Sequence, residues 1–285
     1  MHSGANPVDN GWEGDGWLAR WYLWYARKVP PHPSKIRLFR WLGALLFPRG
    51  MPVTGYGGVR LAIDPLDYIG HEICFSRAYE PLSIALARRL MAGGGTFLDV
   101  GANFGLYTCP VAQLPGVECV AVDASAIAFA KLQDNLARNP ASAVQAVNVA
   151  LAATHGLVAL ETPVPGNLGT TRVSSAPRGA RQRAHVGAMP LEALLDALAV
   201  THVRLMKIDV EGFEAQVFRG MELDSPRSPE HIIMEYSRNL DSRWHDLKGC
   251  MALLERHGYV ARSVTGEAFD PGRAPPEENV WWSRA

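Results

Sequence analysis

The sequence predicts an α/β protein, a mostly parallel sheet of seven strands with helices on both faces, preceded by a short helical extension. Three observations predict it. From Gly93 onward, short apolar strand-like runs alternate with helical stretches, the pattern of βαβ units whose strands are buried on both sides. One of those runs ends in an acid and a glycine turn that opens a helix, Thr96-Phe-Leu-Asp99-Val-Gly101-Ala-Asn103-Phe-Gly105-Leu-Tyr107. The chain has 285 residues, 48% hydrophobic and 20% charged, which is enough to bury one large core and excludes disordered and fibrous classes.

The N-terminal part, residues 1–52, differs from the rest. Gly11 to Gly16 is glycine-rich and predicted to be loose. Trp17 to Lys28 then reads as a helix with Trp17, Trp21, Trp24 and Tyr25 on one face, stopped by Pro30, Pro31 and Pro33. Ile36 to Phe47 reads as a second helix that groups Ile36, Phe39, Gly43, Leu46 and Phe47 against a side carrying Arg37 and Arg40. No acidic residue stands between Gly16 and Ile63, where eight Arg and Lys residues fall. Aromatic stripes usually pack, so the first expectation is contact with the main domain or with a second copy, as a homo-oligomer. Basic residues beside Trp and Tyr on short helices also suit an anionic membrane surface, and peripheral contact there is the other expectation.

The main domain, residues 53–285, opens with a hairpin over Val53 to Ile63 and a helix from Glu80 to Met91. The predicted strands are Thr96 to Val100, Glu118 to Asp123, Ala143 to Val149, Arg204 to Val210, His231 to Tyr236, Tyr259 to Val264 and Asn279 to Ser283. Helices are predicted at Phe104 to Leu114, Ser125 to Arg138, Leu191 to Val200, Glu214 to Met221 and Trp244 to His257. An insertion at 157–189 has strand-like ends and a middle rich in Gly, Ser and Arg.

Twenty-eight basic and twenty-eight acidic residues cancel, so the field expected of a nucleic-acid protein is absent. The four cysteines, Cys74, Cys109, Cys119 and Cys250, have no metal-ligand spacing and read as reduced core thiols, which suggests a cytoplasmic protein, with the inner face of the membrane as a peripheral location. No apolar run reaches the roughly 18 residues a bilayer span needs, and the first residues lack a signal-peptide layout.

The glycine turn sits where a doubly wound sheet binds nucleotide-like ligands, outside the carboxyl end of its first strand. It reads G-x-N-x-G and starts from Asp99, whereas a dinucleotide loop would read G-x-G-x-x-G. A carboxylate there repels a diphosphate and attracts an ammonium and a sulfonium, which favours S-adenosylmethionine over NAD. Asp123, which ends the next strand about 20 residues later, takes the position that accepts ribose hydroxyls.

Asp99-Val-Gly-Ala-Asn-Phe-Gly-Leu-Tyr107 followed by Met206-Lys-Ile-Asp209-Val-Glu211-Gly-Phe-Glu214 resembles the FkbM family of S-adenosylmethionine-dependent methyltransferases. Arg77-Ala-Tyr79-Glu80-Pro81, Asn148-Val-Ala-Leu151, Asn167-Leu-Gly169, Ile232-Ile-Met-Glu235 and Asn279-Val-Trp-Trp fall in the family's order. The resemblance implies a class I, Rossmann-like methyltransferase fold with one antiparallel strand near the end. It implies methyl transfer to a hydroxyl of a sugar, glycolipid, polysaccharide or polyketide, the acceptor being free or lipid- or carrier-linked. It also implies that Glu80, Asp99, Gly101, Ala102, Asn103, Gly105, Tyr107, Asp123 and Ala124 surround the cofactor, with Ala150 near the adenine. Relatives often carry Glu-Pro where Asp123-Ala124 stands here, and either carboxylate can hold a ribose.

On the acceptor side, Asp209 and Glu211 follow one strand and Glu235 closes the next, so three carboxylates are expected in one crevice. Repulsion within such a cluster raises one member's proton affinity into a range useful for accepting a hydroxyl proton. Asp209 or Glu211 is the expected base, Glu235 the orienting group and His71 an alternative base. Strand-end carboxylates such as Asp209 and Glu235 also suit Mg²⁺, although no metal is the favoured expectation. Arg172, Arg178, Arg181, Arg183 and His185 in the insertion would steer an anionic acceptor or form a solvated loop. The Asn/Asp-Pro-Pro-aromatic string of base-methylating enzymes is missing after the fourth strand, so nucleic acid is not expected as substrate. The remaining alternative is a cofactor-binding scaffold without transfer activity that docks partners through its N-terminus.

Overall fold

The computed structural model describes residues 11–140, 143–161, 172–174, 184–237, 243–271 and 277–284. A seven-stranded sheet forms its centre. Its strands are β4 (Gly95–Val100), β5 (Val117–Val122), β6 (Ala143–Val147), β11 (Leu205–Ile208), β12 (His231–Ser237), β13 (Tyr259–Ser263) and β14 (Glu277–Arg284). They lie in the order β13-β14-β12-β11-β4-β5-β6, with β14 alone antiparallel to its neighbours β12 and β13 among the parallel run from β12 to β6. All seven predicted strands are present, each within a few residues of its expected bounds.

Register decides where chemistry can collect. Side chains alternate along a strand, so in-register neighbours of a parallel sheet share a face. Lys207 pairs with Asp99 and with Ile233, and Asp99 pairs with Ala121. Phe97, Cys119, Leu205 and Ile233 on this face join one hydrophobic cluster, while Leu98, Val120, Met206 and Ile232 on the other join a second. The first face therefore runs from apolar residues at the strands' amino ends to Asp99 and Lys207. One register step further, it reaches Asp123, Asp209 and Glu235.

Helices α4 (Pro81–Leu90), α5 (Thr108–Ala112), α6 (Ala126–Ala137), α7 (Leu191–Ala197), α8 (Glu214–Arg219) and α9 (Arg243–Arg256) connect and cover these strands. Ser125 caps α6, its side chain accepting from the Ala128 amide as an N-cap hydroxyl should. Asn135 on α6 and Asn139 just past its end bond the backbone of Ala62 and Arg60, so they satisfy an edge strand that no other described strand covers. Helix α5 is shorter than the predicted Phe104 to Leu114, because residues 101–107 wind as turns around the strand ends.

The insertion and the residues just before it form a second sheet of β7 (Ala150–Leu151), β8 (Gly156–Glu161), β9 (Arg172–Ser174) and β10 (Ala184–Met189), in the order β7-β10-β8-β9. Asn167 to Gly169, Arg178, Arg181 and Arg183 lie outside the described residues. Only the backbone of Arg172 is described, and His185 is exposed.

The N-terminal part departs furthest from expectation. The segment expected to be loose contains β1 (Trp12–Gly14), which pairs with β2 (Met51–Gly55) and, through it, with β3 (Val59–Ile63). Trp12 anchors it, fully buried against Tyr56 with ring centroids 5.0 Å apart. Helix α1 (Trp17–Lys28) and helix α2 (Lys35–Leu46) match their predicted spans, and both rest on α3 (Tyr68–Ser76), a helix the pattern did not suggest. Tyr22 stacks on Phe39 at 4.6 Å, and the buried Lys35 ammonium donates to the Ala26 carbonyl at 2.8 Å, a cation placed at a helix C-terminus. Arg27 donates to the carbonyls of Trp12, Ile73 and Cys74, joining three elements. Trp12, Tyr22 and Phe39 belong to the same hydrophobic cluster as Phe97 and Leu205 of the central sheet, so the described N-terminal residues share the main domain's core.

The predicted packing face needs correction. Tyr25 is buried with Ala19, Tyr22, Leu23 and Ala26, but Trp17, Trp21 and Trp24 are exposed, as is Ile36 on α2. A helix one layer from the core buries the side that holds Tyr22, and the tryptophans point the other way.

Candidate active site

The loop after β4 is shaped by close packing. Gly101 has φ +85, and a Cβ there would lie 1.8 Å from the Asp209 carbonyl oxygen. Gly105 has φ +91, and a Cβ there would meet Leu132 at 2.9 Å and Cys109 at 3.1 Å. Both glycines thus let the loop press on the end of β11 and on α6. Asn103 takes a left-handed φ of +50 and donates its amide to Asp123 Oδ2 at 2.8 Å. The Ser125 amide donates to Asp123 Oδ1 at 2.7 Å, and Asn148 donates to the Asp123 and Ala124 carbonyls. One backbone donor on each oxygen fixes the Asp123 carboxylate at the end of β5. Burial raises its pKa to about 6 against the pull of those donors.

Asp99 lies deeper than its expected role requires. It is 2% exposed, accepts from the Thr108 hydroxyl at 2.5 Å, and burial lifts its pKa to about 6. It therefore braces the loop and contributes charge from beneath. Ala102 is buried with Ala121 and Leu132. Ala124 and Ala150 share a small apolar cluster with Ala152, Ala188 and Phe213, a wall of small side chains beside Asp123.

A second group stands towards β11 and β12. Tyr107 donates its hydroxyl to Glu80, which heads α4 with a left-handed φ of +47. The buried Lys207 ammonium lies 5.3 Å from the centre of the Tyr107 ring and 3.3 Å from Asp209 Oδ2. Burial alone would lower the Lys207 pKa, but Asp209, Glu80, Glu235 and Asp99 outweigh it and hold the ammonium charged. Glu235 shows the opposite balance. Burial and the nearby Asp209 and Glu211 carboxylates raise its pKa to about 8, although Lys207 draws it down. Glu211 takes φ +55 and Gly212 φ +93, the immediate turn that keeps both carboxylates of the Asp209-Val-Glu211 string near the crevice.

Four members of this site stand in the strings quoted for the resemblance but were given no role there. Lys207 is the centre of the charge pattern, and its signal was a lone cation inside the apolar run Leu205-Met-Lys-Ile208. Tyr79 is half-buried beside Glu80, Asp209 and Glu235, and the loss of solvent with these carboxylates raises its pKa. Glu214 turns back so that Oε1 accepts from the amides of Val210 and Gly212, both at 3.2 Å, and caps the turn. Asn279 sits opposite Glu235 on β14, and its buried Oδ1 has no partner among the described residues.

His71 does not join the cluster. It packs between Phe75, with ring centroids 4.5 Å apart, and Phe39, at 5.6 Å, and its charged neighbours are Glu72 and Arg40. Burial lowers its pKa, so it is part of the packing of α2 on α3. No group of three or more His, Cys, Asp or Glu side chains among the described residues is arranged to hold a metal ion. Beside Asp209, the Lys207 ammonium supplies the positive charge. All four cysteines are free and buried.

The profile of the Methyltransferase FkbM domain matches residues 99–261, more than half of the chain. The chain belongs to the FkbM methyltransferase family. It is a methyltransferase with a class I, Rossmann-like fold, and its cofactor is S-adenosylmethionine. The donor set fits that ligand, because five carboxylates converge where an ammonium and a sulfonium would be welcome and a diphosphate would be repelled. A search of curated proteins finds no match. Among solved structures, an O-methyltransferase from Bacillus cereus in complex with SAH is similar at 12% identity and TM-score 0.45, over 90% of this chain and 91% of that one. Precorrin-6y C5,15-methyltransferase from Geobacter metallireducens is similar at 13% identity and TM-score 0.41, over 71% and 87%. TYW2 from M. jannaschii, in complex with AdoMet, is similar at 12% identity and TM-score 0.39, over 82% and 86%. These likenesses are distant.

Proposed function

We propose that this FkbM methyltransferase is an O-methyltransferase acting on a hydroxyl of a polyhydroxylated acceptor such as a sugar, glycolipid, polysaccharide or polyketide. The observation that carries the reading is the raised proton affinity of Glu235 within a carboxylate cluster at the strand ends. An alcohol is a weak nucleophile until a base near its working pH receives the proton, and a group titrating at about 8 is poised for that. Glu235 therefore takes the role of base that the sequence assigned to Asp209 or Glu211. Those two carboxylates raise its basicity, and Lys207 keeps Asp209 in place.

S-adenosylmethionine, when bound, supplies an electrophilic methyl group and leaves as S-adenosylhomocysteine. Asp123 would accept the ribose hydroxyls, and the small side chains of Ala124 and Ala150 leave room for a flat base beside them. Glu80, with Tyr107 beside it, would face the methionine end, and the buried Asp99 adds negative charge below. The acceptor oxygen would give its proton to Glu235 as it takes up the methyl group the bound cofactor supplies. Asn279 Oδ1, buried and without a partner among the described residues, would accept from a second hydroxyl and set the acceptor's orientation. The described residues of the crevice carry several carboxylates against one ammonium, which suits a neutral polyol at the reacting end.

Calorimetry with S-adenosylhomocysteine tests the cofactor half. Losing a hydrogen-bonding carboxylate is worth about 1.5–3 kcal/mol, so Asp123→Ala should weaken binding by roughly 10- to 150-fold. Unchanged affinity would overturn the placement. For the acceptor half, mass spectrometry of glycans and secondary metabolites from a deletion strain should show species lighter by one methyl group, restored by the wild-type gene and not by Glu235→Gln.

A further inference from the structure

We propose that the outer faces of α1 and α2 dock this protein peripherally on an anionic lipid surface. The proposal does not depend on which acceptor is methylated.

Two helices of 12 residues lie against the domain with their buried sides towards α3, where Tyr22 and Phe39 stack. The side of each helix turned away from that contact is apolar. On α1, Trp17, Trp21 and Trp24 recur at spacings of four and three residues and are 78%, 42% and 55% exposed. On α2, Leu38, Trp41 and Leu45 recur at three and four, and Trp41 is 60% exposed. Four exposed tryptophans on two neighbouring helices are unusual for a surface that meets only water, since monomers rarely leave such a patch uncovered. Tryptophan is also the residue whose apolar ring and single N–H donor suit the headgroup region of a bilayer.

Charge selects the occupant. Arg20, Lys28, Arg37, Arg40 and Arg49 are exposed on or beside these helices, and neither helix contains an acidic residue. The nearest acids in sequence, Glu13 and Asp15 on and after β1, already pair with Arg27, Arg77 and Arg60. A second copy of this chain would bring cations onto cations, because a two-fold contact presents the same patch from both sides with nothing to answer its charge. An anionic lipid surface answers both features, its headgroups taking the cations and its acyl boundary the indoles and leucines. At about 1.5 Å per residue, each helix is too short to cross a bilayer, and no described helix is long and apolar enough to do so, so the contact lies in the plane of the surface.

Co-sedimentation of the full chain with phosphatidylcholine vesicles containing about 30 mol% phosphatidylglycerol tests this. The expected result is binding to these vesicles, weak binding to pure phosphatidylcholine, and release as salt rises. Arg37→Gln with Arg40→Gln should lower partitioning about 30-fold, from the loss of two cations near the surface. Trp24→Gln with Trp41→Gln should lower it by about tenfold or more, while S-adenosylhomocysteine affinity stays at the wild-type value and reports an intact fold. Absence of binding to the anionic vesicles, equal binding to both kinds of vesicle, or a wild-type dimer by light scattering that the tryptophan variant dissolves without any vesicle binding would each overturn the proposal.

Discussion

Replacing Glu235 by Gln removes one negative charge from the crevice and keeps a side chain of similar shape. Its effect on stability should depend on pH with a definite sign. An ordinary glutamate titrates near 4.5, whereas Glu235 in the fold titrates at about 8, chiefly because it is buried and secondly because Asp209 repels its charge. Between those values the folded protein holds a proton that the unfolded chain has released. Stability from this group is therefore greatest at low pH and declines as pH rises from about 4.5 to about 8, with no further change above. Gln mimics the protonated form at every pH. The full difference would be roughly 5 kcal/mol at 1.36 kcal/mol per pH unit, and solvent reaching the partly exposed carboxylate brings the expected gain to about 2 kcal/mol. Denaturant unfolding of wild type and Glu235→Gln without ligand, at a series of pH values, reads it directly. The two proteins should be equally stable near pH 4.5, and the variant should lead by about 2 kcal/mol above pH 8. Stability curves that stay parallel, or a variant that is weaker at high pH, would refute the reasoning about the cluster.

Lys207→Met should act in the opposite direction, leaving Asp209, Glu80 and Asp99 without their shared cation. A loss of about 3–5 kcal/mol is expected near pH 8 and a smaller one near pH 5, measured by the same unfolding series. Gly101→Ala should cost about 3 kcal/mol or more, because its Cβ would meet the Asp209 carbonyl at a φ that suits only glycine, and thermal unfolding should show a large drop in Tm.

Much of the fold was legible because burial of a parallel sheet leaves long apolar runs that alternate with helices. The seven central strands follow from that, as do the acids that end them. Alternation also explains what was missed. Lys207 reads as an interruption of an apolar strand until register puts it beside Asp99 and one step below Asp209 and Glu235. The packing of Gly101 against the Asp209 carbonyl and of Gly105 against Leu132 was not legible, because a glycine turn looks the same whatever presses on it. Trp12-Glu-Gly14 escaped because a three-residue strand between glycines has no period to detect, and its partner lies at Met51–Gly55. On α1, aromatic spacing identified a stripe correctly, but the buried stripe is the one through Tyr22 and Ala26, which is less aromatic. Charge held the better clue there, since a helix face rich in tryptophan and free of acid does not need to face its own core.

A crystal structure of the protein with S-adenosylhomocysteine tests the central claim most directly. The ribose hydroxyls should lie within hydrogen-bonding distance of the Asp123 carboxylate, with the sulfur turned towards the ends of β11 and β12 where Asp209 and Glu235 stand. A product molecule bound away from Asp123, or one whose sulfur faces the insertion sheet instead, would contradict it.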